Sequence, residues 1–179
     1  MTKVYIFGAS GSGTTTLGAA LADALGVVHV DADDHFWAPV DPPYSVKRSL
    51  EERFTSLRAA TDTDGWVLSG ACDAWSGDIL SEADLMVFLF VPAALRIKRL
   101  IARETGEFGA RIREGGDMHG IHTGFIEWAK GYDDPAFQGR SRAAHETWMA
   151  TRNQPICRIE EDQPVAQSVA QVMAALRQI

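Results

Sequence analysis

Eight residues near the start of the chain have the composition and spacing of a phosphate-binding loop. Residues 8–15 (GASGSGTT) fit the pattern G-x-x-x-x-G-K-S/T at every fixed position except the lysine, where Thr14 stands. Gly8, Gly11 and Gly13 can adopt positive φ, so the backbone can curl around an anion and direct its N–H groups toward it. The stretch therefore predicts phosphate binding by backbone donors, although an ordinary Gly/Ser turn is the alternative.

The threonines that end this loop bear on metal binding and on charge. Thr15 occupies the position from which the motif supplies a Mg²⁺ ligand, and Thr16 is a neighbouring hydroxyl. A loop lysine normally balances charge on the β- and γ-phosphates, so we expect Thr14 to weaken ATP binding moderately and phosphoryl transfer more severely. The predicted nucleotide-binding residues are Gly8, Ser10, Gly11, Ser12, Gly13, Thr14, Thr15 and Thr16.

Two carboxylates follow the second predicted strand, in the segment Asp31-Ala32-Asp33. Ligands of open parallel sheets bind at the carboxyl ends of the strands, where both acids are expected. We predict that Asp31 binds Mg²⁺ together with Thr15, and that Asp33 takes the proton of an acceptor hydroxyl. The alternative is that these acids cap a turn or the next helix.

A row of arginines could supply the charge that Thr14 lacks. Arg96, Arg99 and Arg103 recur at helical spacing, and Arg140 follows later in the chain. We take Arg99, Arg103 and Arg140 as catalytic candidates, whereas a solvated helix face is the equally weighted alternative. Further basic candidates are Arg111, Arg113, Arg142 and Lys130.

Small and aromatic residues follow the third predicted strand. Gly70 and Ala71 would allow close approach of a ligand, and Asp73 could reach it. Trp37 and Trp75 also follow strand ends, where they could form walls of an acceptor pocket. A small-residue turn and ordinary packing remain the alternatives for these positions.

These candidate residues are separated by strands and helices that alternate along the chain. Alternation of this kind predicts right-handed crossovers and a parallel sheet with helices on both faces. The predicted strands are 4–7, 27–30, 66–70, 85–91 and 155–159, and the predicted helices are 14–25, 45–61, one from 93 onward, 125–132, 141–152 and 165–176.

Residues 105–124 contain six glycines among charged residues. This composition predicts a mobile segment rather than a packed element, and we name it the lid segment. The remainder of 1–179 is long enough for one well-filled core, so we expect a single domain with this lid.

Composition limits the classes of partner. The net charge of −7 argues against a nucleic-acid polymer, which requires a basic face, and no segment is apolar enough to span a membrane. Cys72 and Cys157 are far apart and lack the spacing of metal ligands. With no recognisable signal peptide, a cytoplasmic protein with reduced thiols is expected.

Taken together, these positions resemble the nucleoside-monophosphate-kinase-like branch of P-loop kinases, and within it the small adenylate-kinase-related proteins. The Asp31-Ala32-Asp33 segment is also similar to the D-x-D of shikimate-kinase-like enzymes. The resemblance implies a three-layer α/β fold with five parallel strands in the order 2-3-1-4-5. It also implies ATP as donor, Mg²⁺ as cofactor, and a lid that carries phosphate-clamping arginines.

The expected function is phosphoryl transfer from ATP to a hydroxyl or phosphate acceptor, with low activity because Thr14 replaces the lysine. No acceptor-phosphate signature is found between Pro42 and Thr61, which favours a small hydroxylated acceptor over a nucleotide. A nucleotide-binding regulatory protein without catalysis is the first rival hypothesis. A slow ATPase is the second.

Overall fold

The computed structural model describes all 179 residues and contains one five-stranded, fully parallel sheet. The strand order is β2-β3-β1-β4-β5, which confirms the expected topology. The strands are β1 (Lys3–Gly8), β2 (Val28–Asp31), β3 (Trp66–Ser69), β4 (Leu85–Leu89) and β5 (Ile156–Ile159).

Seven helices connect and cover the strands. The observed chain order matches the predicted alternation, and a short helix directly after β2 is the one addition. The helices are α1 (Thr14–Leu25), α2 (Ala32–Phe36), α3 (Leu50–Thr61), α4 (Ala93–Phe108), α5 (His119–Lys130), α6 (Arg142–Met149) and α7 (Val165–Leu176).

The sheet is buried on both faces because successive strand residues point to opposite sides. On one face, Val4 and Ile6 of β1 pack with Leu17 and Leu21 of α1 and with Val172 of α7. The other face packs Tyr5, Phe7 and neighbouring strand residues against α3 and α6. Strands buried on both faces read as continuous apolar runs, as β1 and β4 do here.

The central strands determine where the phosphate loop lies. β1 pairs with β3 on one side and with β4 on the other, and Gly8 is in register with Leu89. The strand order therefore reverses beside β1, and ligands of such sheets bind at the carboxyl ends near that point. The loop that follows Gly8 lies at this position.

The lid segment is helical, which corrects the expectation of an unpacked glycine-rich stretch. α4 continues to Phe108, a 3₁₀ turn spans Gly109–Ile112, and α5 begins at His119. Leu100 of α4 packs on Ile126 of α5, and this apolar contact outweighs the weak helix propensity of the glycines. Movement of this segment remains a prediction.

No helix of the structure combines the length and the apolar character needed to cross a membrane.

A glycine pair tests how tightly the phosphate loop is packed on α4. A Cβ on Gly11, at φ 80°, would lie 2.7 Å from the carbonyl oxygen of Arg96, whereas a Cβ on Gly106 would meet nothing within 4 Å. We expect Gly11→Ala to lower the free energy of unfolding by about 1–3 kcal/mol. The control, Gly106→Ala in α4, should raise it by about 0.5–1 kcal/mol. Denaturant titration measures both, and equal stability of the two variants would contradict the packing.

Candidate active site

A cleft of about 680 Å³ opens at the carboxyl ends of the strands. The phosphate loop forms its floor, and the segment from α2 to Lys47 forms one wall. The end of α4 and the first turns of α5 form the opposite wall. The cleft therefore joins the predicted nucleotide site, the carboxylate Asp33 and the lid segment in one space.

The floor of the cleft is a cradle of backbone donors. α1 begins after Gly13, which has φ 96°, and no side chain caps this helix N-terminus. Uncapped N–H groups and the helix dipole together favour an anion at this point. Within residues 9–16 only the N–H of Ser12 has an acceptor in the protein, so those of Ala9, Ser10, Gly11, Gly13, Thr14, Thr15 and Thr16 are free.

The eight predicted nucleotide-binding residues divide into two sets. Those that line the cleft are Gly8, Ser10, Gly11, Thr14 and Thr15. Ser12 is buried and donates its hydroxyl to the carbonyl of Ala9 at 2.7 Å, so its side chain shapes the loop. Gly13 and Thr16 contribute through their backbone N–H groups, which precede or open α1.

Arg96 lies beneath the phosphate loop, fully buried, and is a structural residue rather than a mobile clamp. Its guanidinium donates to the carbonyls of Val91 at 2.8 Å and Ser10 at 3.5 Å, and to the Asp133 carboxylate at 2.6 Å. The guanidinium also lies 4.9 Å from the centre of the Tyr132 ring. Because its guanidinium already donates to these three partners, Arg96 is not free to bind a phosphate.

The two carboxylates after β2 have separate roles. Asp31 ends the strand, and its Oδ1 accepts a hydrogen bond from the N–H of Asp33 at 3.0 Å, which caps α2. Capping, the alternative considered for these acids, thus holds for Asp31, which leaves its second oxygen free of intramolecular donors. Asp33 lines the cleft itself.

Asp33 is a carboxyl group with an altered proton affinity. Its side chain is open to the cleft, yet the surrounding protein removes enough solvent to raise its pKa, and the charge of Asp31 raises it further. Arg140 and Arg103 act in the opposite direction and lower it. A raised pKa makes the carboxylate a stronger base for an acceptor hydroxyl.

Only some of the candidate cations reach the cleft. Arg103 and Arg140 line it. The guanidinium of Arg103 lies 3.7 Å from the Glu104 carboxylate, and Arg140 forms no salt bridge. Arg99 is not part of the lining, and its guanidinium donates to the Asp162 carboxylate at 2.6 Å. That placement corrects the expectation of Arg99 as a catalytic residue.

The other basic candidates lie outside the cleft lining. Arg111 bonds Asp117 and also Asp41, each at 2.6 Å, and so joins the lid segment to the loop after α2. Lys130 pairs with Glu127 on the surface of α5. Arg113 and Arg142 are also absent from the lining, and Arg142 pairs with Glu160 at 3.3 Å.

The residues predicted around the third strand also divide. Gly70 and Ala71 line the cleft, with Gly70 at φ 96°, but Asp73 does not. Trp37 forms part of the wall, whereas Trp75 is not in the lining and its indole N–H donates to the carbonyl of Ala71 at 3.1 Å.

Sequence analysis missed two features of the walls. Lys47 lines the cleft, stacked 5.7 Å from the Phe36 ring centre and 5.9 Å from that of Trp37, without a carboxylate partner. An antiparallel bridge between Trp37 and Lys47 returns the chain to the cleft after the prolines. The second feature is a contact between Glu104 and His122, on two different helices. Neither contact has a local sequence signal.

The donor set fits Mg²⁺ held mainly by phosphate oxygens and water. The protein has no cluster of three acidic, histidine or cysteine side chains that would bind a metal alone. Mg²⁺ commonly keeps several waters and takes one or two protein ligands together with substrate phosphates. The Thr15 hydroxyl at the loop and the carboxylates at Asp31 and Asp33 are donors of the required type.

The chain has a sequence relative among known proteins that aligns over nearly its whole length. No protein-family model matches the chain. Over 172 residues the chain is 39% identical to the uncharacterized protein YqaC of Bacillus subtilis, an alignment that covers 96% of this chain and 95% of the relative.

Solved structures share the fold at low sequence identity. A shikimate kinase from Bacteroides thetaiotaomicron matches with a TM-score of 0.55 and 18% identity, over 98% of each chain. A deoxyadenosine kinase from M. mycoides, solved with its products, matches with a TM-score of 0.57 and 13% identity, over 99% of this chain and 100% of that one. The fold is that of the P-loop kinases.

The raised pKa of Asp33 predicts that its ionised carboxylate lowers the stability of the fold at neutral pH. Because the folded-state pKa is raised, the unfolded chain ionises first as pH rises, and stability falls between the ordinary pKa of 3.8 and the raised value. We expect Asp33→Asn to be more stable than the parent at pH 7, with a gain that shrinks toward pH 4. Asp34→Asn, at an exposed neighbour, is the control. Urea unfolding at both pH values measures this, and a destabilised Asp33→Asn at pH 7 would refute it.

Proposed function

The chain belongs to the family of Bacillus subtilis YqaC, and we propose that it is an ATP-dependent phosphotransferase of low activity. The proposal concerns transfer of the γ-phosphoryl group to a hydroxyl or phosphate group of a small acceptor. One observation carries it: residues whose backbone N–H groups have no acceptor, among them Ser10, Gly11, Thr14 and Thr15, line the same cleft as Asp33, Arg103 and Arg140. A phosphate site, a base and mobile positive charge are the parts that phosphoryl transfer requires.

In this proposal the phosphate loop positions the triphosphate of ATP. The backbone N–H groups of Ser10, Gly11 and residues 13–16 donate to phosphate oxygens, and the N-terminus of α1 adds its dipole. Thr15 and Asp31 would hold Mg²⁺, and the ion would neutralise part of the phosphate charge. Buried Arg96 keeps the loop in its shape through the carbonyl of Ser10.

Asp33 acts on the acceptor. The carboxylate accepts the proton of the acceptor hydroxyl as that oxygen bonds to phosphorus and the bond to the leaving ADP oxygen breaks. A phosphate acceptor would be ionised already, and Asp33 would then repel it, which favours a hydroxyl. Gly70 and Ala71 form the adjoining wall and leave room beside Asp33.

Arg103 and Arg140 replace the charge of the absent loop lysine. Both guanidinium groups line the same cleft as Asp33, and their charges lower the pKa of its carboxyl group. Arg140 is braced 5.2 Å above the Trp128 ring, while Arg103 extends from the last turns of α4 with its side chain 58% exposed. Closure of the lid segment would bring Arg103 onto the γ-phosphate.

The absence of a lysine at Thr14 supports two rival functions. Without an ammonium group at the loop, nucleotide can bind while transfer remains slow, as in a regulatory nucleotide-binding protein or a slow ATPase. Detection of a phosphorylated acceptor distinguishes the phosphotransferase from both.

Nucleotide binding is tested first by thermal unfolding. A ligand held only by the folded loop stabilises by mass action, by about 2.7 kcal/mol at a concentration one hundred times its Kd. We expect ATP with Mg²⁺ to raise Tm, and Gly13→Val to abolish the rise, because its φ of 96° suits glycine. The control is Gly106→Ala, which lies outside the cleft and should keep the full shift. Absence of a shift in the parent at millimolar ATP would refute nucleotide binding.

The roles of the arginines are tested by calorimetric titration with ATP and Mg²⁺. Arg103→Ala and Arg140→Ala should each weaken binding by about 2–5 kcal/mol, because closure of the lid segment would exclude water from the charge pair with phosphate. Arg99→Ala, on the same helix but paired with Asp162, should change it by about 0–1 kcal/mol. Equal effects of the three substitutions would contradict the assignment.

A further inference from the structure

Glu104 and His122 form a pair that the proposed transfer reaction does not use. Glu104, on the last turns of α4, has a side chain only 8% exposed, and that of His122, on α5, is 14% exposed. The Nδ1 atom of His122 contacts Oε2 of Glu104 at hydrogen-bond distance, and both residues line the cleft. An ionised carboxylate can only accept a hydrogen bond. The N–H of the ring is therefore on Nδ1 and donates a hydrogen bond to Glu104.

The other ring nitrogen of His122 is available to a ligand. Nε2 has no hydrogen-bond partner in the protein. It is absent from the buried side-chain atoms that lack a partner, so it is exposed to solvent. It therefore has access to the cleft that His122 lines. Glu104 fixes the ring orientation, as carboxylates do for histidines in binding sites.

The surface around His122 has room for a ligand. Gly120 and Gly124 flank it on the cleft side of α5, and a Cβ at either position would meet nothing within 4 Å. Across the cleft lies Tyr44, whose pKa is raised by burial and by the charges of Glu107, Asp33 and Glu104. Asp33, Tyr44 and Glu104 all line this cleft, so the pair faces the same space as the proposed base.

The charges of the cleft indicate the kind of ligand. Glu104 is committed to His122, so Asp33 is the single uncommitted carboxylate of the lining. The cations Lys47, Arg103 and Arg140 oppose it. A hydrogen bond does not remove the charge of Glu104, so three cations face two carboxylates, and this excess of positive charge favours an anionic compound. A hydroxyl group can bond Nε2 in either protonation state, because it both donates and accepts.

We propose that His122, oriented by Glu104, binds an oxygen atom of an anionic, hydroxylated small molecule through Nε2 and so selects the acceptor. This inference rests on the proposed function, because it assigns the acceptor side of the same cleft. His122 contacts the acceptor, and Glu104 is a positioning residue. The pair also links α4 to α5, so the test must separate recognition from packing.

Two substitutions at His122 make that separation. Asparagine places an amide near the position of Nδ1 and can keep the bond to Glu104 without a group at Nε2. Glutamine reaches the position of Nε2 but loses the Nδ1 geometry. A purely structural role therefore predicts a lower Tm for His122→Gln than for His122→Asn. Recognition predicts that His122→Asn loses the ligand while Tm stays near that of the parent.

The probes are shikimate and deoxycytidine monophosphate, each added to the full chain with a non-hydrolysable ATP analogue and Mg²⁺. Calorimetry gives the affinities, and proton–nitrogen correlation spectra of the labelled histidines report on Nε2. We expect at least one probe to shift the Nε2 signal of His122, and His122→Asn to weaken its binding about tenfold or more. Glu104→Gln should weaken it less.

The control is His119→Asn on the same helix, where Nδ1 contacts the carbonyl of Ile112 outside the cleft lining. It should leave probe binding unchanged. An unchanged Nε2 signal with both probes, or equal probe affinity in His122→Asn and the parent, would overturn the inference. Binding of the ATP analogue is measured separately in every variant. If the parent does not bind the ATP analogue, the proposed function is refuted. If the parent binds the analogue but neither probe shifts the Nε2 signal, only the role of His122 is refuted.

Discussion

The phosphate loop keeps its shape because it is packed against β4 and α4 at backbone distance. A Cβ on Gly8 would lie 2.2 Å from the carbonyl oxygen of Leu89, and one on Gly11 would meet the carbonyl of Arg96. Buried Arg96 then bonds the carbonyl of Ser10 and is itself neutralised by Asp133. A buried guanidinium requires such partners, so loop, helix and the Asp133 turn form one unit. Free N–H groups can remain open to the cleft because this unit holds them.

The same arrangement explains how a loop without lysine can still serve a phosphate. Backbone donors and the dipole of α1 supply part of the positive potential, and they are present before any ligand arrives. In the function we propose, the remaining charge comes from Arg103 on the lid side and Arg140 beside Trp128. Charge supplied by a movable wall would depend on closure, whereas a loop lysine is always in place. The low activity that we propose for this chain would then depend on the position of the lid segment as well as on Thr14.

The sequence predicted the fold well because its signals are local. Glycine spacing after an apolar strand identified the loop, and apolar runs identified strands that are buried on both faces. Arg96 and Arg99 show where such signals end: both lie on one arginine row, yet one is buried under the loop and the other pairs with Asp162 at the surface. Periodicity does not reveal which face meets a neighbour. The helical lid segment and the contact between Glu104 and His122 likewise depend on packing between α4 and α5.

The central claim is that Arg103 and Arg140 stand in for the loop lysine, and a double-mutant cycle tests it most directly. Thr14→Lys is combined with Arg103→Ala and Arg140→Ala, and calorimetry measures the affinity of each variant for ATP with Mg²⁺. If the arginines and the introduced lysine serve the same phosphates, the lysine should restore more affinity in the arginine-free variant than it adds to the parent. The expected coupling is about 1 kcal/mol or more. Strictly additive effects would contradict the claim.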